Sequence, residues 1–344
     1  MKIFVTGGAG YVGSACVRML LAGGHDAMAF DNLRKGHREA VPQDRLITGD
    51  IHDTAILVRA MKEHGSEAVM HFAAATDVGE SVENPDYHYD NNVGGTLSLL
   101  RAMRTAGVHR MLFSSTCATY GDNPKPPMNE QAEQIPCSPY ARTKLAVEWL
   151  IRDFANAYGL GFTLLRYFNA AGADPDGQHG EDHHPEFHLI PLVLQVAAGK
   201  REKLLLFGDD YPTPDGTCIR DYVHTADLAS AHLLAIAATT PKTAEVYNVG
   251  TGQGHSVRQV HLACERVTGR KIPFEVVARR PGDAPALVAE PAKLTTRLGW
   301  KPKYGEIGQV IETAWAWHRR YPNGYADKAA PGQLTGTEVR APGR

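Results

Sequence analysis

Tyr140 and Lys144 sit four residues apart, so any helix containing both brings a phenol and an ammonium to the same face, one turn from each other. The pairing is chemically useful because a free phenol titrates near ~10 and is a poor base at neutral pH. Lowering it by about three units takes roughly 4 kcal/mol of preference for the phenolate. An ammonium ~5 Å away, at an effective dielectric of ~20, supplies ~3 kcal/mol. A second positive charge must supply the rest. Tyr-x-x-x-Lys alone also describes many exposed helix pairs, so its neighbours decide. Phe113-Ser114-Ser115-Thr116 reads as the end of a strand, where Thr116 offers a hydroxyl to the same reacting oxygen. In open parallel sheets, ligands gather at the carboxyl ends of the strands.

A second constellation supplies a ligand. Gly7-Gly8-Ala9-Gly10-Tyr11-Val12-Gly13 follows directly on Ile3-Phe4-Val5 and opens a helical pattern. Glycines 7, 10 and 13 are there to make the tight turn, admit the backbone to a pyrophosphate, and let helix and strand pack closely. The helix start then offers free N–H groups and a partial positive charge to the phosphates. Asp31, ending the next β-like run, is placed to accept both ribose hydroxyls of NAD, and its charge repels the 2′-phosphate of NADP. Arg34 and Lys35 are the residues that would receive such a phosphate, and an Asx turn is the structural alternative for Asp31. Asp50 and Ile51 are candidates for the adenine edge, and Phe72-Ala73-Ala74-Ala75 for the small-residue surface under the cofactor. The nicotinamide ring of NAD⁺ is then the second positive charge beside Tyr140.

These residues need a scaffold, and the first half of the chain predicts one. Strand-like runs at 2–6, 27–30, 45–48, 68–72, 110–114 and 161–166 alternate with helical patterns at 11–22, 53–64, 85–106 and 139–158. Alternation at these lengths implies βαβ units, hence a Rossmann-type doubly wound parallel sheet. After residue 169 the pattern changes: a Gly/His/Asp/Pro loop over 172–187, helices near 190–198, 225–238, 256–268 and 307–319, and a strand at 204–207. The expected organisation is an NAD-binding domain over 1–168 with strand and helix returns from the second half, a smaller α/β substrate-binding domain over 169–325, and a mobile tail over 326–344. With 43% hydrophobic and 22% charged residues and a net charge of −2, nothing in the composition suggests nucleic acid or a membrane surface as partner. Five scattered cysteines without a Cys-x-x-Cys pair, and a strand in place of a leader, predict reduced thiols and the cytoplasm.

Taken together the chain resembles the extended short-chain dehydrogenase/reductase family, and within it the UDP-glucose (UDP-galactose) 4-epimerases, from residue 1 to about 325. Besides the glycine loop, the likeness rests on Phe30-Asp31-Asn32-Leu33, Val78-Gly79-Glu80-Ser81, Asp90-Asn91-Asn92-Val93 and Leu165-Arg166-Tyr167-Phe168-Asn169. It continues in Phe207-Gly208-Asp209-Asp210-Tyr211-Pro212-Thr213, Arg220-Asp221-Tyr222-Val223-His224 and Tyr247-Asn248-Val249-Gly250. The resemblance implies Tyr140 as base, Lys144 as its partner and ligand of the nicotinamide ribose, and Thr116 as second hydroxyl. It adds Tyr11, Val12, Asn32, Asn91, Ser114 and Tyr167 to the cofactor site. Asn169, Leu189, Phe207, Arg220, Arg280 and Asp283 are implied to hold uridine and diphosphate, and guanidinium groups grip phosphate oxygens in two places. Leu287 is implied as the wall beside carbon 2 of the sugar, where epimerases restricted to glucose and galactose have tyrosine; leucine leaves room for an N-acetyl group. The implied assembly is a homodimer paired through the helices that begin at Pro85 and Pro139.

Three departures stand out: Thr116 where many members have Ser, Thr76-Asp77 where some have a lysine, and His188 where some have Asn against the diphosphate. The cluster His179, Glu181, Asp182, His183, His184, Glu186 and His188 suggests a metal by composition. Its spacing puts no two histidines on one helical face, and Pro185 breaks any helix, so a substrate-side loop without metal is expected. Asp209, Asp210 and Asp215 lack the glycine and glutamate of a calcium loop and read as turn residues. Rival readings are a nucleotide-sugar 4,6-dehydratase, a UDP-pentose or uronate 4-epimerase, an NADPH-dependent reductase and a non-catalytic dinucleotide sensor. Dehydratases of the family follow the Thr with Asp-Glu; here Cys117-Ala118 follow it.

Overall fold

The computed structural model describes residues 1–121, 126–280 and 282–328. Its first half runs β1 (Lys2–Thr6), α1 (Tyr11–Ala22), β2 (Asp26–Asp31), β3 (Leu46–Thr48), α2 (Thr54–His64), β4 (Ala68–His71), α3 (Val78–Glu83), α4 (Pro85–Tyr89), α5 (Gly95–Ala106), β5 (Arg110–Thr116), α6 (Pro139–Tyr158) and β6 (Gly161–Tyr167). The second half runs β7 (Asn169–Ala171), α7 (Leu189–Ala197), β8 (Leu204–Phe207), β9 (Ile219–His224), α8 (Thr225–Ala238), β10 (Ala244–Val249), β11 (Gly254–Ser256), α9 (Val257–Thr268), β12 (Phe274–Val277), β13 (Ala286–Leu287), α10 (Ala292–Leu298) and α11 (Ile307–Arg320).

Seven parallel strands form the central sheet in the order β10-β6-β5-β4-β1-β2-β3. The strand period of two splits its core. Ile3 and Val5 of β1 face α1 and α8, packing with Cys16, Leu20, Leu228 and Ala231. Phe4 faces α2, α5 and α6, packing with Phe30, Leu57, Leu99 and Val147. Burial on both faces is why these strands read as unbroken apolar runs. The chain order reverses between β1 and β4, and there the strand ends diverge into a crevice.

One difference from expectation concerns this crevice. The helical pattern over 85–106 is not one α-helix: a π turn, Asp90–Gly94, separates α4 from α5. Side chains supply the hydrogen bonds that the loosened turn leaves open, His52 Nε2 lying 3.2 Å from the Asp90 carbonyl and Thr96 donating to the Asn92 carbonyl at 2.5 Å. The seventh strand, β10, comes from late in the chain and adds parallel to β6.

Over the crevice sits a second assembly. β7, β11 and β13 all pair with β9, β8 pairs with β12, and α7, α9 and α11 share a core through Val193, Val260 and Ile311. Residues 324–327 form a 3-10 turn whose Tyr325 packs on Trp317, and Lys328 donates to the Gln178 carbonyl at 2.6 Å. The expected tail thus begins docked on the fold; 329–344 lie outside the described residues. Among the described residues no helix is long and apolar enough to cross a membrane.

Candidate active site

The glycines of the first turn have separable reasons. Gly7 has φ +69°, and a Cβ there would stand 2.4 Å from the Ala73 nitrogen at the end of β4. A Cβ on Gly13 would stand 2.1 Å from the Gly7 carbonyl oxygen, so Gly13 lets α1 close onto the turn. Gly10 is different: a Cβ on it would meet only the Gly7 carbonyl oxygen, at 3.4 Å, and otherwise project into the cleft. Gly10 also caps α1 without a side-chain oxygen, which leaves the first N–H groups of the helix for a ligand.

Asp31 closes the far side. It is 8% exposed, and its two oxygens accept the Ala9 N–H at 3.0 Å and the Leu33 N–H at 2.9 Å. It therefore forms the Asx turn, with Leu33 at φ +59°, and lines the cleft as well. Burial raises its carboxyl above the ordinary value, against which those two N–H groups and His37 act. Arg34 stacks on Tyr87 at 4.2 Å and Lys35 donates to the His184 carbonyl at 2.9 Å, so both cations are engaged away from Asp31. The turn, the uncapped helix and the carboxylate fit a dinucleotide with free ribose hydroxyls.

The cleft, about 510 Å³, runs from this turn into the second assembly. Gly7, Gly10, Tyr11, Val12, Gly13, Asp31, Asn32, Ile51, Phe72, Ala73, Ala74, Asn91 and Tyr167 line its cofactor end. Asn169, His188, Leu189, Phe207, Arg220, Arg280, Asp283 and Leu287 line the other, with Thr116 and Tyr140 between. Three expected residues, Asp50, Ser114 and Lys144, do not reach the wall. Asp50 binds the Asn32 amide at 3.0 Å and His52, so it holds the rim. Ser114 pairs its hydroxyl with Tyr167 at 2.5 Å, and its carbonyl accepts Lys144 Nζ at 2.7 Å.

Tyr140 sits in the first turn of α6, which Ser138 caps through the Ala141 N–H at 3.2 Å and Pro139 begins. The positive end of that helix favours a negative oxygen nearby. Burial nevertheless raises the phenol well above its usual value, with Tyr167 adding to the rise and a hydrogen bond from Thr116 opposing it. Thr116 Oγ1 accepts the Ala118 N–H at 3.1 Å, which leaves its proton free for Tyr140. Lys144 is 3% exposed, and burial pulls its ammonium down to about 7 against the opposing pull of Glu148. Lys144 is anchored on the Ser114 carbonyl and over the Phe113 ring.

Several positioning residues escape a sequence reading. Asn92 accepts the Ala75 N–H at 2.7 Å and donates to the Ala75 carbonyl at 3.0 Å and to Thr143 at 2.9 Å. Thr143 in turn donates to the Tyr140 carbonyl at 2.7 Å. A single amide thus ties the loop after β4 to the first turn of α6. Glu148 takes both Arg166 nitrogens, at 2.9 and 2.6 Å, and the Ser115 hydroxyl at 2.6 Å, fixing α6 against the ends of β5 and β6. Asp221, fully buried, accepts from Thr251, Gly252 and Ala289 and joins β9 to two loops. A polar residue inside an apolar run was the one available signal. At the substrate end Arg220 lies 3.6 Å from Asp283, and Arg280 covers the Phe207 ring at 4.4 Å. His188 turns Nδ1 toward Glu181, and the 172–188 loop that carries both reaches α1 through Ser14–His179 at 2.5 Å and Tyr11–Gly172 at 2.5 Å.

With this geometry in hand, comparison with known proteins is informative. A family profile described as the NAD dependent epimerase/dehydratase family matches residues 3–250. The UDP-glucose 4-epimerase of Halalkalibacterium halodurans is 49% identical over 327 residues, covering 95% of this chain and 98% of the relative. The crystal structure of UDP-glucose 4-epimerase from Brucella ovis in complex with NAD superposes with TM-score 0.88 at 47% identity, covering 91% of this chain and 97% of that one. The enzyme from Bifidobacterium longum, solved with NAD+ and UDP, gives TM-score 0.90 at 36% identity over 94% and 100% of the two chains.

Proposed function

The chain belongs to the NAD-dependent epimerase/dehydratase family, and from that membership we propose how its cleft carries out its reaction. It is an NAD-dependent UDP-glucose 4-epimerase, which reversibly inverts carbon 4 of a UDP-hexose through a 4-keto sugar. The carrying observation is the trio at the switch point: Tyr140 and Thr116 both line the cleft between its two ends, and Lys144 is anchored on the Ser114 carbonyl. Bound NAD would supply the two-electron redox chemistry at carbon 4, and this chain's residues would hold it. Gly7, Gly10, Tyr11, Val12, Gly13, Asp31 and Asn32 hold its adenosine and diphosphate, with Ile51 at the adenine edge and Asp50 bracing Asn32. Phe72, Ala73, Ala74, Asn91 and Tyr167 would line the nicotinamide half, with Ser114 and Lys144 supporting them from behind the wall.

Tyr140 takes the proton of the 4-hydroxyl and gives it back. Thr116 donates to the same oxygen and steadies the charge that develops there. A phenol held high by burial ionises only when positive charge arrives, so the base is armed by the bound cofactor together with Lys144. Asn169, His188, Leu189, Phe207, Arg220, Arg280 and Asp283 hold the UDP, which lets the hexose rotate while its handle stays fixed. Cys117, where a dehydratase would carry an acid, has its thiol pushed up to about 12 by burial, and Ala118 has no proton to move. That disfavours elimination of water.

Two finer points complete the reading. Leu287 leaves space beside carbon 2, and UDP-N-acetylglucosamine is a secondary substrate. The chain forms a homodimer through α4, α5 and α6, where Trp149 of α6 is 59% exposed, and five free cysteines suit the cytoplasm. The test is conversion of UDP-galactose without added NAD, by wild type and Tyr140→Phe. General-base assistance is worth ~10²–10⁴-fold, so the variant loses at least ~10²-fold in kcat while UDP still binds. Near-normal turnover by the variant would remove Tyr140 from this role.

A further inference from the structure

Within the loop between β7 and α7, four side chains from separate positions converge. Glu181, His183, Glu186 and His188 each bring one ligand atom to a common point, all within 4.8 Å of one another. His183 Nδ1 lies 3.2 Å from Glu181 Oε1 and 3.8 Å from Glu186 Oε1. His188 Nδ1 lies 3.7 Å from Glu186 Oε1 and contacts Glu181 Oε1 directly. Ligands ~2.0–2.2 Å from a tetrahedral centre stand ~3.3–3.6 Å from one another; three of the four spacings lie near that edge, and the His188–Glu181 hydrogen bond would open for both atoms to ligate one ion.

Within the cluster the charge partners of the two carboxylates are histidines. Both carboxylate side chains are 4% exposed, and among the described residues neither pairs with a lysine or arginine. His183 Nδ1 is buried with no hydrogen-bond partner, although a carboxylate oxygen is near. The two rings, 5.3 Å apart, aim the same nitrogen at the same space. Without an ion the His188 Nδ1–H donates to Glu181; loss of that proton frees both Nδ1 lone pairs for a shared cation. The ligands are also held from outside. Glu186 Oε1 accepts the Phe187 and His188 N–H groups at 2.8 and 2.9 Å, Phe187 packs on both rings, and the Trp317 indole donates to the Glu181 carbonyl at 3.0 Å. Such outer contacts orient ligands at metal centres.

We propose that this loop binds one divalent transition-metal ion, with Zn²⁺ the best match, through Nδ1 of His183 and His188 and a carboxylate oxygen each of Glu181 and Glu186. Two imidazoles and two carboxylates in a compact set suit Zn²⁺ better than Mg²⁺ or Ca²⁺, which require six or more oxygens. The ion is a structural clamp. The segment it closes is tied to the cofactor half through Lys35–His184 and His37–Asp182, both 2.9 Å, and its Phe187 and His188 line the cleft. Holding the segment holds the cleft's mouth.

The test uses the full chain without a histidine tag, stripped with chelator and titrated with Zn²⁺ and Co²⁺. The expected results are one ion per chain at micromolar free metal, intense visible Co²⁺ bands of a four-coordinate site, and a higher Tm with Zn²⁺. His183→Gln and Glu186→Gln, checked for folding by circular dichroism, should bind ~10²-fold more weakly. Should a variant fail to fold, the cobalt spectrum of the wild type decides alone. No stoichiometric uptake, a weak six-coordinate cobalt spectrum, or undiminished binding by folded variants would each overturn the site and leave a cluster of ion pairs. None of these readouts depends on epimerase activity, so the clamp and the catalytic assignment fail separately.

Discussion

Lys144 illustrates how one residue is made useful at a cost to the fold. Burial draws its ammonium down to about 7, so the folded chain binds fewer protons than the unfolded chain between about 7 and ~10.4. Stability therefore rises with pH across that window, and below it the full penalty of the buried charge is felt. Lys144→Met should be more stable than wild type at pH 6, by at most a few kcal/mol, with the gain fading as pH approaches ~10. Denaturant unfolding at several pH values measures this; a gain independent of pH would mean that packing and not charge is responsible. Leu287 is proposed to act on substrate choice. It is 7% exposed among Phe168, Ala284 and Cys117 on the cleft wall. A larger side chain there fills space and adds a hydroxyl, so Leu287→Tyr should lower the ratio of turnover on UDP-N-acetylglucosamine to that on UDP-glucose. One methylene's worth of misfit is ~1–3 kcal/mol, which sets a change of ~10-fold or more. An unchanged ratio would show that another residue gates the pocket.

Among the elements, the π turn between α4 and α5 has the clearest consequence. It aims the Asn92 amide at Ala75, in the loop after β4, and at Thr143 of α6, the elements proposed to carry cofactor and base. Asn92→Leu keeps the volume but strips the Ala75 N–H and carbonyl of partners. Leaving a buried polar group unsatisfied costs ~1–3 kcal/mol, so Tm should fall and NAD should be lost during purification. The measurement is NAD released per chain on denaturation. Full retention with an unchanged Tm would mean that Asn92 carries no positioning load.

For the whole molecule, the open question of assembly rests on α4, α5 and α6. Trp149 on α6 and Tyr89 on α4 are exposed at 59% and 42%. Aromatic side chains of this size dominate interfaces when buried. Trp149→Glu should shift sedimentation from about twice 37.4 kDa to 37.4 kDa at micromolar concentration, with the cleft still binding UDP. A wild type that sediments at 37.4 kDa would end the proposal.

What the sequence determined by itself is local or repeats at short range. The glycine turn, Asp31, the Tyr140–Lys144 spacing, Thr116 at a strand end and the strand–helix alternation are each readable because backbone sterics and periodicity act within a few residues. The parallel sheet follows from the same signals. Tertiary structure decided what depends on distant partners. Strand β10 joins the sheet because its apolar face meets β6 and α10, which no window of sequence displays. Lys144 takes the Ser114 carbonyl, Glu148 takes Arg166, and Asn92 takes Ala75, each a choice among many polar groups made by where the backbone passes. The 181–188 cluster makes the point most sharply. Read for helical spacing its histidines diverge, yet an irregular loop carries them to one point, because a chain without a fixed repeat can aim side chains in directions no period predicts.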